Sequence, residues 1–249
     1  MTEKVYLFAT CLCSAAMPNT VLSAIKLLRR EGVEIIFKKD QTCCSQPSYN
    51  SGFFEESRKI AAYNIKLFGE DESIPIVVPS GSCAGMLSHD LLRLFKNDSR
   101  FEQVKKFCSR IYDLSQYLND VLHVRYEDRG SPLRITWHTS CHGLRVQKCV
   151  DSSKALIAQL EHVELVPLKY EEECCGFGGT FSIKEPEISN AIVQSKISDI
   201  EQTGARLVIA GDAACILNIN GALRKNKSDI KVVHLYDFIL DRIEGRNAL

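Results

Sequence analysis

Eleven of the 249 residues are cysteine, and eight of them recur at one spacing. Cys141 follows Cys11 by 130 positions. Cys174 and Cys175 follow Cys43 and Cys44 by 131, and Cys215 follows Cys83 by 132. The chain thus carries C-x31-CC-x38-C and then C-x32-CC-x39-C. Self-similarity at a fixed offset is the mark of a duplicated unit. It separates these eight from Cys13, a spare ligand or a bystander, and from Cys108 and Cys149, for which a buried small hydrophobe is the default reading.

Three chemistries use thiols in fours. Disulfides fit the CC pairs poorly: adjacent Cα atoms are about 3.8 Å apart, below the roughly 4.4–6.8 Å of a disulfide. Structural zinc held by four cysteines usually draws on CxxC knuckles. Here Cys83 is followed by Ala84-Gly85-Met86 and Cys215 by Ile216-Leu217-Asn218. An iron–sulfur cluster is held by thiolates and can take ligands from separate loops and from neighbouring residues. On that reading Cys11, Cys43, Cys44 and Cys83 hold one cluster, and Cys141, Cys174, Cys175 and Cys215 another. Gly81, Gly176, Gly178 and Gly179 would let the backbone turn and approach the cofactor. Helix N-termini there would favour an anionic cluster.

The elements around the cysteines repeat as well. In the first half, an apolar run at 5–9 precedes Cys11, and residues 20–30 read as a helix with Asn19 as its N-cap. A strand at 33–37 leads to the loop TCCSQPSYNSG, a helix at 55–68 to the strand IPIVV, and PSGSC to a helix from Ala84. In the second half, strand 134–137 precedes HTSCHG, helix 153–160 precedes strand 163–166, and ECCGFGGTFS follows. Pro186 opens a helix over 187–203, strand 206–210 leads through GDAA to Cys215, and a helix covers 216–224. The halves close with DLSQYLNDVL and HLYDFILDRI. Strand–helix alternation predicts an α/β fold of two pseudo-symmetric Rossmann-like halves, each a parallel sheet with helices on both faces. Ligands of such sheets sit beyond the carboxyl ends of the strands, where all eight cysteines fall. The polar stretch RYEDRGSP at 125–132 marks the boundary, giving halves 1–128 and 129–249, with an insertion in the first near 96–106.

Composition sets limits on partners. The mass is 28.0 kDa, with 31 Lys+Arg against 31 Asp+Glu, 45% hydrophobic and 25% charged residues. A net charge of +0 argues against binding nucleic acid or an acidic membrane. No apolar run nears the roughly 20 residues that span a bilayer, and residues 1–8 read as a strand rather than a leader. A cytosolic protein is expected, with peripheral membrane association left open.

Of the remaining residues, His138 and His142 flank Cys141. Either could relay protons or tune a cluster, and His142 is the first to test, although a loop histidine is the simpler reading. Cys13 has no counterpart in the second half, where Gly143 stands, and reads as a bystander. GFGGT lacks the GK[ST] of a P-loop. Trp137, Phe177 and Phe181 read as packing residues.

The paired halves with CCSQPSYNSG, SGSC, SCHGLR and CCGFGGTFS resemble the cysteine-rich CCG-domain proteins over essentially the whole chain. Within them the chain is most similar to the L-lactate utilisation protein A group. Wider relatives include the heterodisulfide reductase B subunit and the iron–sulfur subunits of glycolate oxidase and anaerobic glycerol-3-phosphate dehydrogenase. The resemblance implies an iron–sulfur electron-transfer subunit, with one or two [4Fe–4S] clusters, supporting oxidation of L-lactate to pyruvate. It also implies an iron–sulfur partner subunit and a third subunit. Such a chain would be an oxidoreductase component inactive alone, since no flavin or nicotinamide motif and no catalytic residue is visible. The alternatives are a heterodisulfide-reductase-like thiol–disulfide subunit and a zinc-held scaffold. The sequence departs from the wider pattern at Met86 and Asn218, where a last CxxC cysteine would stand, and at Ser45, where the motif has glycine.

Overall fold

Among the described residues, eight short strands build two separate parallel sheets. The computed structural model describes residues 3–246, so Met1 and Thr2 of the expected first strand lie outside the described residues. The first sheet holds β1 (Lys4–Leu7), β2 (Glu34–Phe37), β3 (Ile76–Val78) and β4 (Ile111–Asp113) in the order β2-β1-β3-β4. The second holds β5 (Leu133–His138), β6 (Val163–Val166), β7 (Leu207–Ala210) and β8 (Lys231–His234) in the order β6-β5-β7-β8. All pairings are parallel. Both sheets reverse strand order beside their first strand, between β1 and β3 and between β5 and β7. That reversal opens the crevice in which doubly wound sheets bind ligands.

The central strands are apolar runs because both of their faces are covered. Their alternation shows what covers each face. Val77 of β3 joins a core shared by the two halves, while Ile76 and Val78 face an outer core with Phe68 and Phe95. In β7, Leu207 and Ile209 join the shared core, and Val208 and Ala210 face Ile197, Ile200 and Ile219. Val5, Tyr117, Ile135, Trp137, Tyr236 and Phe238 also belong to the shared core. The expected fold is therefore present: two similar halves, each a parallel sheet with helices on both faces.

The halves interlock through their closing helices. The helix Leu235–Ile243 of the second half packs on Pro18–Arg30 of the first. Across this contact Thr20 Oγ1 and Ser23 Oγ each donate to the Asp237 carboxylate at 2.6 Å. In the corresponding place the helix Val150–Ala158 packs on the turn that begins at Leu114, and Ser153 Oγ donates to Ser115 Oγ at 2.9 Å. The polar stretch between the halves is pinned. Asp128 accepts two hydrogen bonds from Arg242, both 2.8 Å, with both side chains buried.

Four details differ from the sequence reading. A fourth strand, β4 or β8, precedes each closing helix; each is only three or four residues long and runs straight into its helix, which hides it. The first long helix starts at Pro18 with Met17 in the cap position, not at Asn19, because the proline ring already sets the helical φ. The insertion is a helix, Phe101–Cys108. The single cysteines lie in the first turn of a helix and not in the loop before it: Cys11 opens Cys11–Ala16, Cys83 lies in Gly81–Gly85 and Cys215 in Ala213–Lys225.

Candidate metal centre

Each half brings its four repeated cysteines to the carboxyl edge of its sheet. In the first half Cys11 Sγ lies 3.6 Å from Cys43 Sγ, and Cys44 Sγ 3.3 Å from Cys83 Sγ. In the second, Cys175 Sγ lies 3.1 Å from Cys215 Sγ, and the Gly176 N–H donates to Cys174 Sγ at 3.3 Å. Both nests open on one cavity of about 320 Å³, which all eight thiols line together with Leu12, Pro47, Phe177 and Ile183.

The local sequence explains this convergence. Thr10 and Ser140 precede the first cysteine of each half, and each caps the turn that follows. Thr10 Oγ1 accepts from the Cys13 N–H at 3.3 Å, and Ser140 Oγ from the Gly143 N–H at 3.1 Å. After each CC pair the chain must reverse in the left-handed region: Gly176 has φ 83° and Ser45 has φ 75°. Serine in place of glycine therefore preserves the turn, although it is costly for a residue with a Cβ. Ser57 Oγ donates to the buried Ser45 Oγ at 3.0 Å and helps to hold it there. Gly81 serves a different need. A Cβ there would sit 2.9 Å from Cys149 Sγ and 3.2 Å from Gly143 Cα, so glycine lets the two halves touch beside Cys83. Gly178 and Gly179 line the cavity itself.

Crowding decides how the thiols ionise. Cys43 is pulled well below the ordinary thiol range because Cys11 and Cys44 donate to it. Cys174 is pulled down in the same way by Cys141 and Cys175. The donors Cys11, Cys44, Cys141 and Cys175 are pushed up, by those shared hydrogen bonds first and by burial after them. Four thiolates this close repel one another strongly unless a cation lies between them. The donor sets therefore suit a metal centre.

The other three cysteines stay outside the nests. Cys13 is buried on the inner side of the helix Cys11–Ala16 and pushed up to about 12 by burial, as is Cys108 in the outer core. Cys149 is buried against the Gly143 carbonyl, 3.7 Å away. His142 lines the cavity, and its Nε2 lies 2.7 Å from the buried Asp90 carboxylate. Its partner is thus a carboxylate and not a thiol.

Two polar residues complete the centre: His138, which the sequence offers as a candidate beside Cys141, and Asp212, which it does not single out. His138, the last residue of β5, places a ring nitrogen within 4.8 Å of the Cys175 and Cys215 sulfurs. Asp212, in the GDAA turn, is buried on the cavity wall and reaches into the other half. It accepts from Ser80 Oγ at 2.7 Å, from the Ser82 N–H at 3.2 Å, and from Ser82 Oγ. The available signal was the offset itself. It aligns His138 with Phe8 and Asp212 with Ser80, polar groups where the first half has an aromatic ring and a hydroxyl.

A cysteine-rich domain profile, named CCG, matches residues 5–88 and again 135–220, two segments that contain all eight repeated cysteines. "Lactate utilization protein A" of Oceanobacillus iheyensis is 40% identical over 245 residues, covering 97% of this chain and 98% of its own. The chain belongs to the lactate utilization protein A group of the CCG family. A second protein of that name, from Shouchella clausii, is 40% identical over 235 residues, covering 93% of this chain and 96% of its own. Among solved structures, a hypothetical protein from Helicobacter pylori superposes on 99% of this chain with TM-score 0.70 and 12% identity. The present chain spans half of that protein's length, and the likeness speaks to fold alone. Among the described residues no helix is long and apolar enough to cross a membrane.

Proposed function

We propose that this chain is an iron–sulfur electron-carrying subunit of a lactate utilisation system. Residues 1–128 and 129–249 act as its two cysteine-rich units. Cys11, Cys43, Cys44 and Cys83 hold one cluster, and Cys141, Cys174, Cys175 and Cys215 hold the other. The observation that carries the reading is the pair of four-thiol nests, one at each sheet's switch point, opening on a common cavity. Thiolates in fours are the ordinary ligand set of a [4Fe–4S] cluster, which supplies one-electron chemistry when bound. The names of the relatives supply the metabolic context.

This chain's own residues would hold the ligands and tune them. The Gly176 N–H and the caps at Thr10 and Ser140 fix the thiols. The lining from Leu12 and Phe177 would limit water at the sulfurs. No flavin or nicotinamide motif stands in the sequence, so removal of hydride from lactate falls to a partner, an iron–sulfur subunit or a third subunit. A deletion strain is expected to lose growth on L-lactate and to keep growth on pyruvate. A Cys174→Ser/Cys175→Ser copy should fail to restore it, and full restoration would remove the nests from lactate oxidation.

The shared cavity favours a second reading, in which a thiol or disulfide substrate reacts between the nests as in heterodisulfide-reductase-like subunits. Lactate-dependent dye reduction by the co-purified complex separates the two. Activity with lactate supports the relay, and activity only with a disulfide supports the alternative.

A further inference from the structure

His138 is a buried side chain without a partner. It is 1% exposed, and neither ring nitrogen makes a hydrogen bond. A buried polar group left unpaired is destabilising. The neighbouring polar groups are engaged elsewhere: Thr136 Oγ1 donates to the Val166 carbonyl at 2.8 Å, and Trp137 Nε1 donates to Thr139 Oγ1 at 2.8 Å. What faces the imidazole is sulfur, from Cys175 and Cys215.

The duplicated half shows that the fold does not require a histidine here. Tyr6 and Leu7 pair with Ile76 and Val77 as Thr136 and Trp137 pair with Val208 and Ile209. The next residues in register are Phe8 and His138. Phe8 is fully buried, with its ring centroid 5.6 Å from that of Phe68. A phenyl ring satisfies the position by packing alone, whereas the imidazole there carries a penalty that packing does not relieve.

We propose that His138 donates an N–H hydrogen bond to the Cys215 sulfur in the loaded C-terminal nest, and that this raises the reduction potential of that centre above that of its N-terminal counterpart. The proposal rests on the iron–sulfur reading given above. Reduction adds negative charge that the ligand sulfurs share. A donor aimed at one of them stabilises the reduced state more than the oxidised one, and potentials of such centres follow hydrogen bonds to sulfur. The dry surroundings strengthen the bond. His138 acts here as a positioning residue, through Cys215.

The test uses anaerobically purified full-length chain in which Cys43→Ser/Cys44→Ser empties the N-terminal nest, so that one centre reports. Iron and acid-labile sulfide are counted first, and the midpoint potential is then followed by electron paramagnetic resonance. His138→Phe, the residue of the other half, should keep iron and sulfide at the parent level and shift the potential to a more negative value. His138→Asn and His138→Gln keep an N–H donor at two reaches, and at least one should recover part of the shift. In the chain with both nests intact, His138→Phe should move only one of two redox waves. An unchanged potential in His138→Phe, or no recovery by either amide, overturns the hydrogen bond. Loss of iron in His138→Phe also overturns it, by making His138 a ligand. A parent without iron overturns the iron–sulfur reading itself, a separate failure.

Discussion

Phe8, Ser45, Ser80 and Met86 accompany the N-terminal thiols, and His138, Gly176, Asp212 and Asn218 hold the same places in the second half. The strands, the order of pairing and the left-handed turn after the CC pair are common to both. The surroundings are not. Cys11 is exposed and Cys83 half-buried, whereas Cys141 is half-buried and Cys215 buried. Met86 is packed into the outer core, while Asn218 Nδ2 donates to the Cys175 carbonyl at 2.7 Å. Duplication has kept the skeleton that aims the thiols and let the residues beside them diverge. The second nest is more enclosed, and its amide support comes from Asn218, whereas in the first Asn64 Nδ2 donates to the Cys43 carbonyl at 2.9 Å. Two such nests are built to be unequal.

The largest expected effect tests whether the halves are independent nests. Cys44→Ser and Cys175→Ser should each remove about half of the bound iron, since each deletes one ligand of one four-thiolate set. Cys149→Ser should remove none. Iron analysis decides this, and equal loss from all three would break the division into two sets.

A second contrast lies at the caps of the closing helices. Asp113 and His234 are equivalent residues, both buried, and burial moves them in opposite senses. Asp113 is pushed up to about 6 from 3.8, chiefly by desolvation, although Ser115 and Tyr236 donate to it. Its folded pKa is raised, so its contribution to stability is full below pH 3.8 and is lost as pH rises through 6. His234 is pushed down to about 4 from 6.5, again chiefly by desolvation. Its folded pKa is depressed, so its contribution is full above pH 6.5 and is lost as pH falls through 4. Each is worth on the order of 2–3 kcal/mol across its window. Urea unfolding between pH 4 and 7 should therefore respond oppositely. Asp113→Asn should make acid destabilisation steeper, and His234→Gln should make it shallower.

The CC turns sharpen the comparison further. Gly176→Ala places a Cβ 2.6 Å from the Ser189 carbonyl at a positive φ, and should cost at least about 1–2 kcal/mol. At roughly 2–4 °C per kcal/mol for a chain of this size, thermal melting will show it. Ser45→Gly relieves the same backbone strain but loses the hydrogen bond from Ser57, and should change the melting temperature little. Asn218→Ala leaves the Cys175 carbonyl without its donor, at a cost of about 1 kcal/mol.

The architecture was legible because duplication writes it twice. Cysteine spacing and strand–helix order each repeat, and a three-residue strand such as β3 is flagged by the cysteine that follows it. β4 and β8 escaped because no thiol follows them and their few residues merge with a helix. Ser45 looked like a departure, yet the structure holds it in the left-handed turn that glycine occupies at 176. Sequence cannot show that a neighbouring hydroxyl will support it. His138 stood out only as a neighbour of Cys141, and Asp212 not at all, for a related reason. A lone histidine at a strand end and an acid in a turn are ordinary in isolation. Only the fold shows that one imidazole faces two sulfurs and that one carboxylate crosses to the other half.

The central claim is that eight thiols form two iron–sulfur nests. The direct measurement is a metal and acid-labile sulfide count, with a visible spectrum, on wild-type chain purified without oxygen. Iron and sulfide in equal amounts, with a broad charge-transfer band that weakens stepwise as each CC pair is changed to serine, is the predicted result. About one zinc per nest, with no sulfide and no visible band, would contradict it.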